Sequence, residues 1–295
     1  MANPAVMQGM TLPDVDRWSE RVTVALGQNP SAFAGPGTNT YLVGTGRERL
    51  LLDPGEGRES YLPVLMAGMR AAGCERVTGI VLTHGHPDHI GGVRSVLDAL
   101  GRMPVWKFPH EAFDRGYEDL EMRALADGDV VETEGATLRA LHTPGHAPDH
   151  LCFLMEEENA LFSGDNVLGV GTTIIPSVSG DLGQYMASLA RLLEEAPSVI
   201  YPAHGPRIED ARGKIREYIA HRHAREAQIL AELRKGPRDP ITMVRVIYAD
   251  YPENLHAPAC QSVSQHLMKL EGEGRVSRRA GPDAHDPVHA VWSAR

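Results

Sequence analysis

Thr83-His84-Gly85-His86-Pro87-Asp88-His89 sets three imidazoles and one carboxylate within six positions. Just before it, Ile80-Val81-Leu82 is a short apolar run that reads as a buried strand ending at Thr83. The cluster therefore falls in the loop after that strand and in the start of the next helix. Three more motifs follow: Thr143-Pro144-Gly145-His146, Ser163-Gly164-Asp165 and Pro202-Ala203-His204-Gly205. Each is fed by its own strand-like run, Ala140-Leu141-His142, Leu161-Phe162 and Val199-Ile200-Tyr201 respectively. Four strands ending in polar loops predict a site assembled along one edge of a rigid scaffold.

His84, His86, Asp88, His89, His146, Asp165 and His204 form a set of imidazoles and carboxylates. Such a set suits two divalent ions of borderline hardness, with zinc the leading choice, and leaves a position open for water. Two ions roughly 3.5–4 Å apart share that water and lower its pKa, which supplies a bridging hydroxide at neutral pH. The hydroxide attacks a carbonyl or phosphoryl centre while the cations stabilise the developing oxyanion. Asp88 and Asp165 are the expected catalytic carboxylates, and no Ser or Cys nucleophile stands in a motif. His110, His142, His150, His221 and His223 fall outside the pattern and read as structural, with His150 close enough in sequence to His146 to support it.

Composition allows an ordinary globular enzyme: 295 residues, 42% apolar and 23% charged, give enough chain for one large domain or two. No run reaches the ~18 apolar residues of a membrane span, and Met1–Glu20 shows neither a secretion nor an import pattern. Cys74, Cys152 and Cys260 make no CxxC pair, which fits a reducing, cytoplasmic setting. The net charge of −10 is unevenly spread. Residues 1–210 hold 15 Lys/Arg against 29 Asp/Glu, a balance of −14, while 211–295 hold 14 against 10, a balance of +4. An acidic body argues against indiscriminate polyanion binding, and the basic tail leaves room for guided contact with RNA.

Further strands are predicted at Arg21–Ala25, Thr40–Val43, Leu50–Asp53, Pro104–Lys107, Asp129–Glu132, Thr137–Leu141, His150–Met155 and Ala160–Ser163. Helices are predicted at Tyr61–Ala72, Gly92–Leu100 and Leu182–Ala196, so the class is α/β with layered sheets. A long charged helix over 210–234 is broken by Lys235-Gly236-Pro237-Arg238-Asp239-Pro240. Beyond it come Thr242–Tyr248, a helix near Pro258–Glu271, and Arg275–Arg279 facing His289–Trp292 across Gly281-Pro282. The chain thus divides into a catalytic part, 1–235, and a winged-helix-like module, 236–295.

His-x-His-x-Asp-His followed in order by His, Asp and His resembles the metallo-β-lactamase superfamily. That resemblance implies an αβ/βα four-layer sandwich with its site at one edge. It further implies that His84, His86 and His146 hold a first metal, that Asp88, His89 and His204 hold a second, and that Asp165 bridges. Asp53, in Leu52-Asp53-Pro54-Gly55, would support the site from behind. A Glu at position 86 would have suggested di-iron redox chemistry; the His there favours hydrolysis.

Several segments resemble the β-lactamase-like protein 2 branch, described as endoribonucleases. They include Gly37-Thr38-Asn39-Thr40-Tyr41-Leu42-Val43-Gly44, Phe162-Ser163-Gly164-Asp165-Asn166-Val167-Leu168-Gly169 and Tyr201-Pro202-Ala203-His204-Gly205-Pro206. In the tail they include His221-Arg222-His223-Ala224-Arg225-Glu226, Pro252-Glu253-Asn254-Leu255-His256 and His266-Leu267-Met268-Lys269-Leu270-Glu271. The resemblance implies cleavage of single-stranded RNA, with Lys269, Arg275, Arg278 and Arg279 touching phosphate. Arg222 and Arg225 are expected either to reach an anionic substrate group or to form surface ion pairs with Glu226 or Glu232. Fungal thioesterases acting on carrier-bound polyketides share parts of the pattern, so acyl-thioester hydrolysis is the main rival. β-Lactam or other small-molecule hydrolysis, and a metal-containing RNA-binding module without turnover, complete the alternatives. A basic open groove would favour RNA and a narrow apolar pocket the thioester. Relatives often carry a bulky aromatic where this chain has Gly85.

Overall fold

Leu50, Leu51 and Leu52 are all buried, yet they serve two different cores. Leu50 and Leu52 pack between two sheets with Tyr41, Val43, Phe153 and Phe162. Leu51 points the other way, joining Leu42, Tyr61, Leu65 and Val93 beneath helices. A strand covered on both faces has no polar side, which is why these segments read as continuous apolar runs rather than alternating ones.

The computed structural model describes residues 9–32, 34–250, 252–253, 256–279 and 286–295. The turn at Gly281-Pro282, the Asn254-Leu255 pair and the first eight residues lie outside the described residues. In the first sheet, β1 (Val15–Arg17), β2 (Val22–Leu26), β3 (Asn39–Val43) and β4 (Glu48–Leu52) run antiparallel. The helix α1 (Tyr61–Ala72) then crosses to β5 (Arg76–Val81), parallel to β4. After α2 (Pro87–Ile90) and α3 (Val93–Leu100) comes β6 (Val105–Lys107), and after α4 (Glu111–Asp114) comes β7 (Met122–Ala124). The sheet is thus seven-stranded in simple sequential order.

The second sheet holds β8 (Val130–Thr133), β9 (Ala136–His142), β10 (Leu151–Met155) and β11 (Ala160–Gly164). Its last member, β12 (Val199–Pro202), is reached through α5 (Leu182–Glu195) and lies parallel to β11. α1 and α3 cover one outer face. The other is covered by α5 and by α6 (Ala211–Leu233), through Leu182, Tyr185, Leu189, Ile215 and Tyr218. The expected αβ/βα sandwich is the observed architecture.

Two short strands, β1 and β7, escaped the sequence reading. Val15-Asp16-Arg17 and Met122-Arg123-Ala124 are exposed at two of three positions and sit at the two edges of their sheet. With no apolar alternation to read, only pairing with a neighbour makes them strands.

The C-terminal part contains α7 (Pro240–Ile247), α8 (His256–Gly272) and the ribbon β13 (Val276–Arg278) with β14 (Trp292–Ala294). Asp239 caps α7 by accepting from the Thr242 amide at 2.7 Å. The core here joins Ile229 and Leu233 of α6 to Met243, Val244, Val263, Leu267 and Trp292. The last two turns of α6 therefore anchor the module. Cys74, Cys152 and Cys260 are buried and unpaired. Among the described residues no helix is long and apolar enough to cross a membrane.

Candidate metal centre

All seven residues singled out in the sequence converge at the ends of β5, β9, β11 and β12. They fall into two groups, His84/His86/His146/Asp165 and Asp88/His89/His204, each with its ligand-type atoms within 4.8 Å of one another. In the first group His86 Nδ1 lies 3.0 Å from both His84 Nε2 and His146 Nε2. In the second, Asp88 Oδ2 lies 3.3 Å from His204 Nε2 and 3.7 Å from His89 Nε2. Asp165 faces both. Its Oδ2 is 3.3 Å from His146 Nε2, while its Oδ1 is 3.2 Å from His204 Nε2 and 3.6 Å from His89 Nε2.

The far side of each ring fixes which nitrogen faces inward. His146 Nδ1 donates to the Ile174 carbonyl at 2.8 Å, and His89 Nδ1 to Asp53 Oδ2 at 2.8 Å. Thr83 Oγ1 donates to Asp53 Oδ2, so it accepts from His84 Nδ1 at 3.0 Å. His204 Nδ1 faces the Gly37 carbonyl at 3.4 Å. His84 and His146 thereby turn their Nε2 lone pairs toward His86 Nδ1, an arrangement that a cation among them relieves. His89 Nε2 and Asp165 Oδ1 are buried and make no hydrogen bond. Uncompensated buried acceptors of this kind are costly, and a divalent cation satisfies them.

Charge divides the site in the same way. Burial, reinforced by neighbouring imidazoles, pushes His84 well below the usual histidine range and His86 down to about 4. Burial also opposes the charge on Asp88, but His89 and His204 outweigh it and bring that carboxyl to about 2. The Asp165 carboxyl, with His204 and His89 overcoming its burial, is held well below the usual range. Against its own burial, His204 is pushed up to about 9 by Asp165 and Asp88. His84 and His86 thus offer neutral donors, while the carboxylates Asp88 and Asp165 call for positive charge, which divalent cations would meet.

Asp53 supports the site as expected, and Asn39 and Thr38 join it from a segment that looked merely family-like. Asp53 accepts from the Thr83 amide and hydroxyl, both at 2.8 Å, and thereby holds the turn from which His84 projects. Asn39 Nδ2 donates to the Pro202 and Gly205 carbonyls at 2.8 Å each, pinning the His204 loop. Thr38 Oγ1 donates to the Asp88 carbonyl at 3.0 Å. His150 Nε2 accepts from the Asp165 amide at 3.1 Å, so it supports the site as expected.

Sequence reading missed Asp149 and Lys107. Asp149, fully buried, accepts from the Gly85 amide at 2.9 Å and pairs with Lys107 Nζ at 2.7 Å. Its closeness to His146 and His150 in the sequence was a signal; Lys107, in an apolar strand, carried none.

A cavity of 270 Å³ opens onto His86, Asp88, His146, Asp165 and His204. Its other wall is Leu168, Val170, Ile174 and Pro176 with Thr172 and Thr173, and among the described residues it is lined by no Lys or Arg. Beside it, a Cβ built on Gly85 would fall 2.5 Å from the Cβ of Phe113. The ring of Phe113 stands edge-on to His86 at 5.5 Å. An aromatic ring thus reaches this corner of the site from α4 rather than from position 85.

One expectation about charge is corrected. Arg222 and Arg225 are buried rather than on the surface, and neither lines this cavity. Arg222 donates to the Thr173 carbonyl at 2.5 Å and lies over Tyr185, while Arg225 lies 4.0 Å over Tyr248. In the tail, Lys269 pairs with Glu226 and Glu273, Arg275 with Glu273, and Arg278 with Glu271. Three of the four basic residues expected to touch phosphate thus already face carboxylates.

Comparison with known proteins agrees with this geometry. Residues 34–204 match the metallo-beta-lactamase superfamily, and 241–284 match the beta-lactamase associated winged helix domain. A beta-lactamase-like protein 2 homolog of Drosophila melanogaster is 40% identical over 96% of this chain and 99% of its own. An atrochrysone carboxyl ACP thioesterase of Aspergillus chevalieri is 40% identical over 90% of this chain and 86% of its own. A metallo-beta-lactamase family protein of Thermus thermophilus superposes with a TM-score of 0.73 at 27% identity, covering 92% of this chain and 98% of its own.

Proposed function

This chain belongs to the metallo-beta-lactamase superfamily, and from that premise we propose that it is a two-zinc hydrolase acting on acyl thioesters. The observation that carries this reading is the uncharged, largely apolar wall opposite the histidines, formed by Leu168, Val170, Ile174 and Pro176. An acyl group gains free energy there by leaving water. A polyanionic strand calls instead for a basic groove with stacking surfaces, and the tail's cations are largely engaged with carboxylates. The name of the 40% identical Aspergillus chevalieri relative is in keeping with a thioester substrate. We therefore rank thioesters ahead of the RNA phosphodiesters expected from the sequence.

His84, His86 and His146 would hold one ion, Asp88, His89 and His204 the other, with Asp165 shared between them. When bound, such ions supply Lewis acidity and lower the pKa of water. The chain's own residues do the rest. Asp53, Thr83 and the Ile174 carbonyl keep the rings in the tautomer that offers Nε2. Asp88, held ionised and facing the cavity, would accept a hydrogen bond from water there and orient it. The apolar wall excludes bulk water from the acyl side.

The test is thiol release from an acyl thioester by the zinc-loaded protein, with single-stranded RNA alongside and an Asp165→Asn control. Thioester turnover lost in the control supports the proposal. RNA cleavage lost in the control, without thioester turnover, overturns it in favour of the phosphodiester reading.

A further inference from the structure

Ile174 and Pro176, half of the apolar wall of the cavity, belong to a loop, 171–180, that has no regular structure of its own. It is tied at both ends to the site: Thr173 Oγ1 donates to the Asp165 carbonyl, and the Asp181 amide donates to the Gly145 carbonyl at 2.8 Å. Its middle supplies the Ile174 carbonyl that fixes the His146 ring. Between Pro176 and Gly180 the loop closes on itself through one 2.9 Å backbone bond. What holds that turn against the body comes from the other end of the chain. Gln265 of α8, only 2% exposed, donates through Nε2 to the Pro176 carbonyl at 3.0 Å and to the Gly180 carbonyl at 3.2 Å.

Both amide hydrogens of one buried side chain are thus spent on two carbonyls that backbone bonding leaves with spare acceptor capacity. Within the turn itself, Val178 is 98% exposed. The turn 176–180 carries an apolar tip that faces water and is joined by Gln265 to a separate core, so this contact holds the Pro176 end of the wall.

We infer that Gln265 is a positioning residue through which the C-terminal module sets the apolar wall of the cavity, and hence the size of acyl group it admits. It does not touch the reacting atoms; it acts through Pro176 and Gly180. The module's role in this chain is then to shape the substrate pocket. The inference about acyl size rests on the thioester reading above, whereas the clamp itself does not.

The test compares the full-length zinc-loaded protein with Gln265→Met, which keeps the side chain's length and removes both donors, and with Gln265→Glu, which replaces them with acceptors. On an octanoyl thioester the KM should rise about tenfold in Gln265→Met, as expected for two lost neutral hydrogen bonds. The kcat should stay within about twofold, and the KM for an acetyl thioester should change by less than about threefold. Hydrogen exchange of amides in 171–180 should quicken by about tenfold or more in both variants, with the rest of the second sheet unaffected. An equal KM change for both substrates, or unchanged exchange in 171–180, would overturn the inference. If the parent protein turns over no thioester, the thioester reading fails and exchange alone decides: faster exchange in 171–180 sustains the clamp, and unchanged exchange removes it.

Discussion

Asp53 Oδ2 lies 2.8 Å from His89 Nδ1, and both side chains are almost wholly shielded from water. The same carboxylate accepts from the amide and hydroxyl of Thr83. One residue at the end of β4, held at a left-handed φ of 52°, therefore orients members of both ligand groups. Replacing it removes the acceptor that directs His89 Nε2 inward. On the proposed zinc-binding reading, Asp53→Ala is expected to lower zinc affinity about 10–100-fold, the usual cost of losing such support. Competition with a chromogenic chelator measures it, and an unchanged affinity would contradict the role.

Gly85 owes its place to crowding rather than to backbone freedom. A Cβ there would meet the Phe113 Cβ at 2.5 Å and Asp149 Oδ2 at 3.1 Å. Gly85→Ala should therefore push α4 outward and destabilise the fold by about 1–3 kcal/mol. Denaturant unfolding gives the number directly. A neutral substitution would mean that the short helix swings away freely.

Lys107 and Asp149 form a pair buried beneath the His84–His86 loop, 2.7 Å apart, with Lys107 also reaching Asp114 at 2.6 Å. Lys107→Met leaves Asp149 charged and short of its partner in a dry site. The expected loss is about 3–5 kcal/mol, because an unpaired buried charge costs more than the pair contributed. Adding Asp149→Asn, which keeps the shape and removes the charge, should recover part of that loss in the same unfolding assay. No recovery would assign the loss to packing instead.

Glu226 of α6 gathers the module's cations: Lys269 Nζ is 2.7 Å away and Arg275 Nη1 3.7 Å. Burial raises its carboxyl, but His266 and Lys269 outweigh that and bring it from 4.5 to about 2. A depressed carboxyl contributes stability above its unfolded value of 4.5, and that contribution fades as pH falls toward 2. Glu226→Gln should consequently lower the melting temperature at pH 7 and flatten its decline across the acid range. Parallel melting curves for the two proteins between pH 5 and pH 2, within the range set by these values, would refute the assignment.

The site was largely legible in the chain because metal-type ligands need particular residues at strand ends, and strand ends are visible as apolar runs stopping at polar loops. His84, His86, Asp88, His89, His146, Asp165 and His204 could all be listed on that basis. The tertiary structure alone decided what surrounds them. Asp149 and Lys107 meet through β6 and the loop before β10, distant in sequence, and no local pattern couples them. In the tail, packing sets carboxylates against Lys269, Arg275 and Arg278, pairings that the sequence alone did not reveal. Ligand identity is a property of residue type and order; the pocket's polarity depends on which distant side chains reach the same few ångströms. Gln265 and Pro176 stand 89 positions apart, and only the fold brings that amide to that carbonyl.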